Sequence, residues 1–170
     1  MIGVHLPAID VKMRYTQSQI RGLVSISVDD LKTWRKAIPA LASHKGHAPT
    51  FTPGDVVAMA VVAELVHDFG LRIGTLAGRL DSLFKLCHGR SWLSLENCSV
   101  LIGTSTIRLI DAGAPIGRVH EMTTIVVPCA PIVTRLQSIL ASTEAETAQG
   151  YLHFPPTGIA RPSDRREMQA

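Results

Sequence analysis

Three cations, Lys32, Arg35 and Lys36, stand at positions i, i+3 and i+4 of one another. On a helix that spacing gathers them on one face. A basic face of this kind can hold phosphates and, where the helix enters a groove, can reach the edges of bases. Thr33 is suited to a thymine methyl or a phosphate oxygen, whereas Trp34 has the bulk of a residue that packs inward. The charge around them is uneven. Residues 12–47 carry Lys12, Arg14, Arg21, Lys32, Arg35, Lys36 and Lys45 against only Asp29 and Asp30, a local net of +5 in a chain whose total is +3. Residues 1–90 hold 11 Lys/Arg against 7 Asp/Glu and residues 91–170 hold 6 against 7, so the excess belongs to the first half. Such an excess is the footprint that binding a polyanion requires.

Other chemistries find less support. Cys87 with His88, Cys98, His120 and Cys129 supply the ligand types of a tetrahedral metal site. No two of them stand at a spacing that preorganises a site, and isolated cysteines more often act as small buried hydrophobes. No metal and no cofactor is expected. Asp29 and Asp30 suit a helix N-terminus rather than acid–base work, there is no glycine-rich phosphate loop, and no Ser/His/Asp spacing stands out. An enzyme is not expected.

The 170 residues, 46% hydrophobic and 18% charged, match a soluble globular protein. The longest apolar run, VVAMAVVAELV at 56–66, is broken by Glu64 well short of the ~20 residues of a membrane span. The N-terminus has no basic segment followed by an apolar core, and three widely separated cysteines without a CxxC do not make a disulfide framework. A cytoplasmic protein that leaves the membrane alone is the expectation.

The elements that must position the basic face can be read from caps and periodicity. Thr16 is placed to cap a short helix in which Ile20 and Leu23 share a face. Ser27 caps a second, with Asp30 completing a capping box and Lys32, Arg35 and Lys36 toward its end, until Pro39 stops it. Two short helices joined by a turn of three or four residues make a helix-turn-helix. Residues 40–52, with Gly46 at a polar tip, read as a small hairpin or wing. TPGD at 52–55 sets Thr52 as a cap, Pro53 at the first helical position and Asp55 in a capping box. The helix it starts is apolar on nearly every side as far as Phe69, with Gly70 closing it. Leu71 to His88 gives one more amphipathic helix. Residues 99–102, 106–111 and 122–127 are β-branched strands. After a PCAP break, helix 131–147 carries a stripe of Ile132, Val133, Leu136, Ile139 and Leu140. The expected fold is α+β: a winged helix-turn-helix at 13–88, a small α+β domain at 89–150, and a Pro-rich, disordered tail at 151–170.

The stretch YTQSQIRGLVSISVDDLKTW, followed by the wing and FTPGDVVAMAVVAELVHDFGLRIGTL, resembles the DNA-binding domain of the MerR family of regulators. In that family a Tyr-Thr opening leads to a recognition helix of the xVSxxTLRYY type, a wing ending in an aromatic, an acid-containing helix start and an LxxxGxxLxxI exit. Ile26-Ser27-Val28 and Leu31-Lys32-Thr33-Trp34 fall on the recognition helix, Phe51 on the wing aromatic, Asp55 on the helix start, and Leu65, Gly70, Ile73 and Leu76 on the exit. The likeness covers about residues 15–77. Lys32-Thr33-Trp34 stands where the family has Arg-Tyr-Tyr, and Asp29 stands where a base is common. A strand-rich segment also intervenes before any long dimerisation helix.

The resemblance implies a sequence-specific transcription regulator that binds a palindromic site in double-stranded DNA as a homodimer, with RNA polymerase as a possible partner. Arg14, Thr16, Arg21, Ser27, Lys32, Thr33, Arg35 and Lys36 would meet the DNA from the helices, and His44, Lys45 and His47 from the wing. The stripe on helix 131–147 is the candidate dimer surface. Two other readings stand beside this one: an excisionase-like factor that bends DNA for a mobile element, and a protein-interaction module whose basic strip is incidental.

Overall fold

The computed structural model describes residues 13–44, 48, 50–114 and 123–149, with side chains as far as residue 143. Its class is α+β: among the described residues there are seven α-helices and one three-stranded antiparallel sheet. Gly46 of the expected wing tip, Lys45, His47, His120 and the tail from residue 151 lie outside the described residues.

Helix α1 (Gln17–Val24) and helix α2 (Val28–Ala37) both begin in full capping boxes. Thr16 Oγ1 accepts from the Gln19 amide while Gln19 Oε1 accepts from the Thr16 amide, and Ser27 and Asp30 repeat the exchange. Two orphan amides at each start are thereby satisfied. Between the helices Ser25 takes φ 58°, a left-handed conformation that turns the chain. Ile20, Leu23, Leu31 and Trp34 face inward.

Pro39 ends α2, as its missing N–H and its ring dictate, and it also opens a single helical turn, α3 (Pro39–Ala42). The first residues of the hairpin or wing expected at 40–52 are instead helical as far as Ala42, with Leu41 wholly buried in the core. Among the described residues of 40–52, the β pairing is an isolated bridge from Phe51 to Tyr15, closed by hydrogen bonds of 2.9 and 3.2 Å.

Helix α4 (Pro53–Ala63) starts at TPGD with Thr52 and Asp55 in a third capping box. Gly54 through Ala63 are all buried, so this helix is the axis of the core; each Val or Met removed from water contributes about 1.5–3 kcal/mol. A π-helical turn, Glu64–Asp68, continues it and widens the backbone before Gly70 (φ 65°) lets Leu71 donate back to the Leu65 carbonyl at 2.9 Å. Helix α5 (Ile73–Cys87) then buries Leu76, Leu80, Leu83, Phe84 and Cys87 along one face. Its C-terminus lies against the start of α4 so closely that a Cβ on Gly54 would fall 1.8 Å from the Cys87 carbonyl oxygen.

A short helix that periodicity did not announce, α6 (Trp92–Glu96), leads into strands β1 (Cys98–Ile102), β2 (Ile107–Asp111) and β3 (Ile125–Pro128), with β1 central. Val100 pairs with Leu109 on one side and Val127 on the other. Helix α7 (Cys129–Gln149) begins directly after Pro128, two residues before the expected helix start at 131. Pro131 is accommodated in its first turn, where its missing N–H costs nothing. Ile132, Val133 and Leu136 are buried, and Ile139 and Leu140 pack against the same cluster. The stripe therefore serves the chain's own core, against α1, α4, α6 and β1, rather than standing free as a dimer surface. One buried cluster runs from Tyr15 to Leu136 without a break at residue 88. No described helix is long and apolar enough to cross a membrane.

Candidate nucleic-acid interface

Burial of Ile20, Leu23, Leu31 and Trp34 leaves the opposite sides of α1 and α2 to solvent. Between them lies a groove of about 190 Å³, bordered by Gln17, Ser18, Arg21, Val28, Leu31, Lys32 and Arg35. Arg21, Lys32 and Arg35, distant in register on two helices, thus converge on one concavity. Lys36 and Thr33 are exposed beside it.

The cations differ in how far they are already satisfied. Lys32 Nζ lies 3.3 Å from Asp29, but both side chains are largely exposed, so the pair is weak and readily exchanged. Arg35 has buried Nε and Nη2 atoms with no hydrogen-bond partner, and burial pulls its guanidinium below its ordinary value. A guanidinium deprived of water and not yet given an acceptor is costly, on the order of 1–3 kcal/mol for each such group. It is the outstanding unsatisfied charge of this surface.

Other expected contacts have local employment. Thr16 and Ser27 are occupied as caps; Ser27 Oγ also donates to Asp30 at 2.7 Å, and that hydroxyl with the Ser27 amide holds the Asp30 carboxyl below the usual carboxylate range. Arg14 Nη1 donates to the Thr50 carbonyl at 3.2 Å. His44 stacks on Phe51, ring centroids 4.2 Å apart, with Nδ1 3.1 Å from Thr50 Oγ1, and burial lowers its basicity. Arg14 and His44 therefore brace the Tyr15–Phe51 bridge. Trp34 is packed as expected, 2% exposed, with the His67 ring of the π-turn 6.2 Å away.

Some structural partners were not legible beforehand. Trp92 stacks on Tyr15 at 6.0 Å and donates to the Pro53 carbonyl at 2.8 Å, tying the second half of the chain to the base of the bridge. His88 donates from Nδ1 to the buried Asp55 carboxylate at 3.0 and 3.2 Å. Neither pairing has a sequence spacing that betrays it, since 77 residues separate one pair and 33 the other.

Cys87, Cys98 and Cys129 are buried and unpaired. Burial pushes the Cys87 thiol up to about 12 and that of Cys129 to about 11, so both are neutral thiols at pH 7 rather than the thiolates a metal takes. Among the described residues no three His, Cys, Asp or Glu side chains are grouped to hold a metal ion.

No protein-family model matches the chain, and no curated protein matches it.

Proposed function

We propose that residues 13–88 are a winged helix-turn-helix of MerR-like type, and that the protein is a sequence-specific regulator binding duplex DNA. The observation that carries this reading is the groove between α1 and α2, where Arg21, Lys32 and Arg35 meet and where the Arg35 guanidinium has buried nitrogens without an acceptor. A backbone phosphate is the kind of acceptor that such a cluster of ammonium and guanidinium donors takes. Helix α2 then lies along the major groove with Lys32, Thr33 and Lys36 toward the duplex, and the segment between α3 and Phe51 serves as the wing.

A single domain of this size covers little DNA, so binding as a homodimer to two half-sites about one helical turn apart belongs to the same proposal. Since α7 spends its apolar stripe on the core, the dimer contact has to use another surface. An activating regulator of this kind also addresses RNA polymerase bound to the same promoter.

Fluorescence anisotropy of a labelled random duplex, titrated with salt, tests the reading. Binding at low salt should weaken with a log–log slope near −0.9 for each phosphate neutralised. Absence of binding at low salt, or binding without a slope, refutes it and leaves a protein-docking role for the same face.

A further inference from the structure

A cavity of about 340 Å³ opens between α3 and the last turns of α5. Phe84 and Ala40 give it an apolar floor, and Lys85, His88, His44, Ser43 and Asp55 border it. Lys85 and His88 are i, i+3 neighbours and so share a helix face. His88 is committed through Nδ1 to Asp55, which leaves Nε2 for another partner; its side chain is 54% exposed.

The two acids nearby are spent. Asp55, 2% exposed in its side chain, accepts from the Thr52 amide and from His88. Asp81 accepts from the Ala40 amide and from Lys85. A volume in the range of small-ligand pockets, an apolar floor and a few convergent donors are the ingredients of a small-molecule site.

We propose that this cavity binds a small organic acid, its carboxylate held between Lys85 Nζ and His88 Nε2 and its apolar body laid against Phe84 and Ala40. A carboxylate suits the donors because the Lys85 ammonium, 74% exposed, has N–H groups beyond the one on Asp81, while His88, in its doubly protonated form, donates from Nδ1 to Asp55 and keeps an Nε2–H that meets solvent. The site stands apart from the DNA-binding reading, and its occupancy is measured without nucleic acid.

The probe is benzoate, titrated at pH 5.5 into the full chain while the imidazole signals of His44 and His88 are followed by NMR, with benzyl alcohol as the uncharged control. Saturable shifts of both imidazoles with benzoate are expected, together with at least tenfold weaker binding of benzyl alcohol. Lys85→Ala, at an ammonium 74% exposed and outside the core, should weaken benzoate about tenfold, the loss of one charge-assisted hydrogen bond. His88→Gln should weaken it comparably, with the far-ultraviolet circular dichroism of each variant checking that the fold persists. No saturable shift at tens of millimolar overturns the proposal. So does equal affinity for benzyl alcohol, or an unchanged affinity in a folded Lys85→Ala.

Discussion

The start of α4 and the groove between α1 and α2 are both polar places in an apolar fold, and they are built in opposite ways. At the start of α4 every polar group has found its partner inside the chain: Thr52 and Asp55 exchange hydrogen bonds, His88 closes on Asp55, and Trp92 donates to Pro53. In the groove, three cations face one exposed acid, and Arg35 has buried nitrogens with none. A satisfied cluster is explained by folding alone. An unsatisfied one keeps a debt that another molecule can settle, which is why the groove rather than the better-ordered cluster directs the functional reading.

The contrast predicts that substitutions at the first region act on stability and those at the second on binding. The largest expected effect is Gly54→Ala. Its new methyl would fall on the Cys87 carbonyl oxygen, which is backbone and cannot swing aside. Separating α4 from α5 there also strains the Asp55–His88 contact. A loss of about 3 kcal/mol, at the upper end for overpacking, should appear as a lower urea midpoint with an unchanged slope. A loss under about 0.5 kcal/mol, the size of an ordinary surface change, would show that the close approach of the two helices is not structural.

Arg35→Ala should do the reverse. Because the substitution removes two buried nitrogens that lack a partner, stability should hold or rise, by up to about 1–3 kcal/mol, while affinity for duplex DNA falls about tenfold and the salt slope shrinks by about one. If stability collapses instead, Arg35 is a packing residue. If neither quantity moves, the groove is not where DNA sits.

The helix starts of both regions could be read in advance, because caps are local: Thr16, S-x-x-D at 27–30 and T-x-x-D at 52–55 each mark one within a few residues. The periodicity of α5 and the three strands were legible for the same reason. What escaped were effects of distance. Helical residues 39–42 follow from a core that claims Leu41, α6 is too short to show a period, and the inward stripe of α7 is indistinguishable in sequence from a stripe that awaits a partner. At the groove, the cations were visible as a cluster, but their unequal satisfaction was not. Nothing in the spacing tells that Arg14 and His44 are spent on the bridge while Arg35 is not.

The turn between α1 and α2 allows a finer test, since it sets the angle at which the groove is held open. Ser25 sits at φ 58°, a conformation that costs a side-chain-bearing residue about 1–2 kcal/mol and glycine almost nothing. Glycine also loses more freedom on folding, so Ser25→Gly should raise stability by only about 0.5–1 kcal/mol, read as a higher urea midpoint, with DNA affinity unchanged. A loss of stability would mean that the Ser25 side chain makes a contact worth more than the strain.

The smallest effect concerns acid. Asp30 caps α2 and lies 4.0 Å from His67, in the π-turn at the far end of the helix that α4 begins. The Ser27 hydroxyl and amide lower its carboxyl in the folded chain, so the folded state binds this proton less readily than the unfolded one. The stability it contributes is therefore fully present above the ordinary carboxylate value near 3.8 and is lost as pH falls through the lower folded value. Asp81, lowered by Lys85 and the Ala40 amide, adds a second contribution in the same window. Unfolding midpoints measured between pH 2 and 6 should fall below about pH 4, and the fall should be shallower in Asp30→Asn. An unchanged acid limb would show that the capping box holds α2 equally well with a neutral side chain, and that the charge there matters only to whatever approaches the groove.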